Sequence, residues 1–92
     1  MYNFQIGNVY KTIGISYAIE NNENYLCEIM RCFERYLECD WGDLCVSDKK
    51  ENEKALKNNE RLLGAYSTTL GKIFIITEWD RKTTTVMFAN EY

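Results

Sequence analysis

The chain has 92 residues, of which 46% are apolar, and carries a net charge of −3. That is material for one domain with a packed core, which excludes two independent cores and argues against disorder. Lys and Arg are interspersed with Asp and Glu, so no basic patch marks a nucleic-acid footprint, and direct DNA or RNA binding is not expected. No run of 18 apolar residues is present to cross a membrane. The opening MYNFQIGNVYKTIG lacks the basic start and unbroken apolar core of a signal peptide. A cytoplasmic location is the expectation.

Proline is absent, so glycine and Asn/Asp clusters must punctuate the chain. Val9 to Ile13 reads as a short strand broken by Gly14. Ile15, Ala18 and Ile19 then fit a turn or two of helix ending near Asn21-Asn22. The main helix is expected from about Asn22 to Leu37. Tyr25, Leu26, Ile29, Met30, Phe33, Tyr36 and Leu37 form one broad apolar stripe along it. Asn21 or Asn22 is placed to cap its start, and Gly42 to turn the chain after it. Ser47 reads as the N-cap of a short second helix, Asp48 to about Lys57, with only Ala55 and Leu56 to bury.

Three strands follow. Arg61 to Thr68 is the first, and Thr69-Leu70-Gly71 turns into Lys72 to Trp79. Asp80-Arg81-Lys82 leads into the third, Thr83 to Phe88. Apolar residues on both faces of the middle strand mark it as central. The expected fold class is α+β. A small antiparallel sheet, made of the C-terminal meander and a short N-terminal strand at an edge, packs against one main amphipathic helix and a short second helix in a single domain, 1–92.

The chain offers little chemistry. It has no histidine to serve a cysteine or serine nucleophile, and its five glycines stand alone rather than in a phosphate loop. Cys27, Cys32, Cys39 and Cys45 form no C-x-x-C pair, and reduced thiols are expected. Asp40, Asp43 and Asp48 lie near one turn, and Glu78 and Asp80 lie at a strand end, with Lys72 and Lys82 in the same half. Such carboxylates suit a divalent cation in a metal-dependent nuclease. They equally suit the ordinary work of carboxylates at turns, which is to cap helices and meet arginines. The expectation is therefore a protein that is not an enzyme and needs no cofactor.

From Asp40 onward the chain carries a long ordered pattern. It comprises Asp40-Trp41-Gly42-Asp43-Leu44, Asp48, Asn52, Ala55-Leu56, Arg61-Leu62, Ala65-Tyr66 and Lys72-Ile73. It continues through Ile75-Ile76-Thr77-Glu78, Asp80-Arg81, Thr84-Thr85 and Glu91-Tyr92. This pattern resembles a family of short proteins encoded on plasmids, conjugative elements and prophages of Firmicutes. The chain departs from it at Phe74, where the family favours Trp, and at Ala89-Asn90, where it favours a proline-containing pair. The resemblance implies a mobile-element setting, in which small acidic proteins block host defence by binding a defence complex. An anti-CRISPR or anti-restriction inhibitor is the leading expectation, its partner a defence effector with a basic groove. Asp40, Trp41, Asp43, Glu78, Trp79 and Asp80 are the expected contact residues. The alternatives are the nuclease, an accessory protein of a conjugative element, and self-association, since strand edges pair readily.

Overall fold

The computed structural model describes residues 4–92. The elements run β1 (Asn8–Lys11), α1 (Ile13–Asn21), α2 (Tyr25–Leu37), α3 (Val46–Asn58), β2 (Leu62–Thr68), β3 (Gly71–Thr77) and β4 (Thr83–Phe88), closing on a 3-10 turn over Ala89–Glu91. The fold is of the expected α+β class. β2, β3 and β4 form the antiparallel meander, and the sheet order is β1-β4-β3-β2. One detail departs from an all-antiparallel sheet. β1 takes the edge beside β4 but runs parallel to it, with Val9 level with Thr84 and Lys11 level with Val86.

That direction follows from how the two ends are stitched. The Thr12 hydroxyl accepts from the Ile15 N–H and so caps α1. The same hydroxyl donates to Glu91 Oε1 at 2.7 Å, while Glu91 Oε2 accepts from the Gly14 N–H at 3.2 Å. A carboxylate just past β4 thus serves the unpaired amides at the start of α1. The helix must begin where β4 ends, so β1 must run the same way as β4. Strand β1 accordingly stops at Lys11, not Ile13, because Thr12 is spent as a cap.

Helix starts differ from expectation in the same way. Asn21 and Asn22 do not open α2; their side-chain amides donate to the Tyr17 and Ala18 carbonyls and close α1. Asn24, at φ 68°, is the residue before α2. Helix α2 ends through Cys39 at φ 63°, whose N–H bonds the Tyr36 carbonyl, and Gly42, at φ 77°, turns the chain after it as expected. Helix α3 begins at Val46 after Cys45, two residues earlier than a Ser47 cap would set it.

The core lies between the sheet and the α1–α2 pair. Ile15, Tyr25, Ile29, Tyr36, Leu62, Tyr66, Ile73, Ile75 and Val86 are buried there. Burying each such side chain is worth about 1.5–3 kcal/mol. Leu26 and Met30, expected in the buried stripe, are 51% and 54% exposed, since α2 turns only one flank of that stripe to the sheet. Through the core runs a relay of hydroxyls. Tyr36 donates to Thr77 Oγ1 at 2.6 Å, Thr77 meets Thr84 Oγ1 at 2.8 Å, and Thr84 donates to the Ile6 carbonyl at 2.8 Å. Burial pushes the Tyr36 hydroxyl far up, so it stays protonated and can donate. Among the described residues no buried side-chain polar atom lacks a partner.

Candidate protein-binding surface

The segment Asp40–Leu44 lies along the outer edge of β2. An edge strand exposes unpaired amides and carbonyls, and here those of Leu63 and Ala65 are taken up. The Asn52 side chain reaches from α3 to bond both the N–H and the carbonyl of Leu63. Ala65 donates to the Trp41 carbonyl at 3.1 Å and accepts from the Asp43 N–H at 2.7 Å. Ser67 Oγ donates to Asp43 Oδ2 at 2.7 Å. Gly42 makes this close approach possible. It sits at φ 77°, and a Cβ there would run into the Ala65 carbonyl.

Asp40 and Trp41 of this segment make further bonds of their own. Asp40 pairs with Arg35 at 2.8 Å and accepts from the Gly42 N–H. The Arg35 side chain hydrogen-bonded to Asp40 holds its carboxyl below the usual value. The Asp40 carbonyl accepts from the buried Tyr66 hydroxyl. Trp41 was expected on a contact surface, but it is only 3% exposed. It packs edge-on against Tyr36, and its indole N–H donates to Glu53. Its apolar body fills the gap that α3 and β2 leave, so it is a core residue.

Glu78, Trp79 and Asp80 sit elsewhere. Asp43 is held level with Ser67, whereas Glu78 follows Thr77, the partner of Leu62. Five residues of β2 separate the two levels, about 16 Å at the rise of a strand. The six expected contact residues therefore do not make a single site.

Asp40 and Asp43 keep exposed side chains beside these bonds, but the exposed tryptophan of the expected set is on the β3–β4 turn. Trp79 is 66% exposed. The turn beneath it is rigid, because the Arg81 guanidinium donates to the carbonyls of Glu60, Glu78 and Ala55. Ala55 lies in the last turn of α3, where a cation meets the negative end of the helix dipole. Asp80 folds back to accept from the Lys82 N–H. Glu78 pairs with Arg61 at 3.5 Å. Arg61 in turn lies over the ring of Tyr92, itself 65% exposed and packed edge-on against Phe74. Trp79 and Asp80 are exposed on the turn itself, and Glu78, which leads into it, links through Arg61 to Tyr92.

No protein-family model, no characterised protein and no solved structure matches this chain. Function must be argued from the surface itself.

Among the described residues, no group of three or more His, Cys, Asp or Glu side chains is placed to hold a metal ion. Cys32 lies in the core, where burial pushes its thiol up, while Cys27 and Cys45 are exposed. No helix among the described residues is long and apolar enough to cross a membrane. Arg61 and Tyr92 were not among the expected contacts. They appear beside Glu78 only once the meander is folded, since nothing in their spacing joins positions 61, 78 and 92.

Proposed function

We propose that this chain acts by binding another protein through the aromatic and acidic patch at the β3–β4 turn, as an inhibitor of a host defence system of the anti-CRISPR or anti-restriction kind. The observation that carries the reading is Trp79, two-thirds exposed on a turn pinned by Arg81. A large aromatic on a fixed backbone gives contact area with little ordering cost, and Trp, Tyr and Arg are the residue types that dominate binding energy. Glu78 and Asp80 beside it suit a partner with basic residues, and such complementarity sets partner choice and association rate. The mobile-element resemblance supplies the defence context.

The test is an affinity pull-down from a host lysate containing its CRISPR and restriction complexes, read by mass spectrometry. A stoichiometric defence effector is expected with the native chain, and its loss is expected with Trp79→Ala and with Asp80→Lys. Capture of no defence effector, or equal capture by Trp79→Ala, would overturn the proposal.

A further inference from the structure

We infer that the open β1 edge and the apolar groove beside it join two copies of this chain, β1 against β1, in one continuous sheet. This goes beyond the reading above and uses a different surface.

The two edges of the sheet are treated differently. The β2 edge is covered at Leu63 and Ala65, as described. The β1 edge is not. The Asn8 N–H donates to the Lys82 carbonyl and the Thr12 N–H to the Val86 carbonyl. Even-numbered residues therefore turn their backbone groups toward β4, and by strand alternation Val9 and Lys11 turn theirs outward. Those outward groups meet no partner among the described residues. Directly beside them is a groove of about 300 Å³ between β1, α1 and α2. Val9, Leu26, Met30 and Phe33 line it, with Lys11 its one charged residue. Val9, Leu26 and Met30 are each about half exposed.

An antiparallel pair of β1 strands centred on Tyr10 satisfies this edge completely. Val9 of one copy falls opposite Lys11 of the other, and the two residues exchange both N–H to carbonyl bonds. Tyr10 meets Tyr10 as the close, non-hydrogen-bonded pair between them. Lys11 commonly guards an open edge by charge. In this register it faces Val9 rather than another Lys11. A two-fold axis normal to the sheet keeps the helices of both copies on the same side, so the two grooves abut and Leu26 and Met30 are covered across the seam. The paired strands are only four residues long. The interface is therefore smaller than the roughly 800 Å² per partner of a standard one, and a weak dimer is expected.

Sedimentation equilibrium on the whole chain, from micromolar to millimolar concentration, reads this directly. The mass is expected to rise from 10.9 kDa toward twice that value. Amide exchange at both extremes locates the contact. The Val9 and Lys11 amides gain protection at high concentration, while the Tyr10 amide, already turned to β4, does not change. Lys11→Pro removes an outward donor at a position where an edge strand tolerates proline, and Met30→Glu puts a charge into the seam. Each is expected to weaken association at least tenfold. A constant 10.9 kDa mass, or a dimer indifferent to both variants, overturns the inference. A constant mass together with Trp79-dependent capture of a defence effector would reject the dimer and leave the proposed function standing. A dimer without such capture would do the reverse.

Discussion

The Arg61 guanidinium lies 5.4 Å from the centre of the Tyr92 ring and donates a 2.9 Å hydrogen bond to its hydroxyl. The same arginine meets Glu78, so one side chain joins the C-terminal aromatic to the turn that carries Trp79. Contacts this exposed contribute little to stability. Their effect is to fix the patch in one arrangement before a partner arrives. Trp79→Ala is therefore expected to leave urea unfolding within about 0.5 kcal/mol of the native chain. Partner binding is expected to weaken by about 2 kcal/mol or more, near thirtyfold, in a titration against the captured effector.

Trp41 should behave in the opposite way. Its ring is enclosed by Tyr36 and the α3–β2 junction, and its N–H is bonded to Glu53. Trp41→Ala is expected to cost about 3–5 kcal/mol, measured by chemical denaturation. Equal effects of the two tryptophan substitutions on stability would contradict this division of roles.

Gly42→Ala tests the covering of the β2 edge. The added methyl group collides with the Ala65 carbonyl, and the positive φ disfavours any L side chain. The segment must then lift off, exposing the amides of Ala65 and Asp43. A loss of about 2 kcal/mol or more is expected. Faster exchange at the Ala65 amide should accompany it, while the Tyr36–Thr77 end of the core stays protected.

Tyr36→Phe removes the first donor of the hydroxyl relay and leaves Thr77 short of one bond in the core. The expected cost is about 1–3 kcal/mol by urea denaturation. Thr77→Val, which removes the middle of the relay, should cost at least as much.

Glu91 makes stability depend on acid. Burial pushes its carboxyl up, but hydrogen bonds from Thr12, the Phe88 N–H and the Gly14 N–H outweigh that and hold it below the usual value of 4.5. Glu28 is held down by the Thr69 hydroxyl and N–H, and Asp40 by Arg35. A carboxylate with a lowered folded pKa contributes stability that is complete above its ordinary value and lost as pH falls through the folded one. The melting temperature should hold from pH 7 to about 5 and decline below 4.5, with a shallower decline in Glu91→Gln. Identical curves for the two proteins would remove Glu91 from this account.

The meander, the main helix and the central place of β3 were legible because they follow from short-range periodicity. Ile73, Ile75 and Thr77 alternate with Phe74, Ile76 and Glu78, and only a central strand needs apolar residues on both sides. The parallel direction of β1 was not legible, because it depends on Glu91 reaching Thr12 across 79 positions of sequence. The role of Asp40–Leu44 was hidden for a related reason. Carboxylates and a tryptophan at a turn look like a contact surface until the bare edge of β2 is known to lie beside them. Of the expected contact set, Trp79 and Asp80 remain exposed on the β3–β4 turn and Glu78 is half-buried beside them. Of the other half, Trp41 is consumed in the core, while Asp40 and Asp43 hold the β2 edge and keep exposed side chains.

The stitch between Thr12 and Glu91 also governs when this protein can exist. Residues at the front of the chain reach their final neighbours only after β4 and the turn beyond it have been made. Closing so long a loop is slow and comes late in folding. Until then β1 has no strand to lie against, and the α1–α2 pair has only part of its floor. A nascent chain stalled before Thr83 would present the apolar residues of both helices with no β4 to receive β1. A chaperone would recognise it as unfinished, and a nearby second copy would find it sticky.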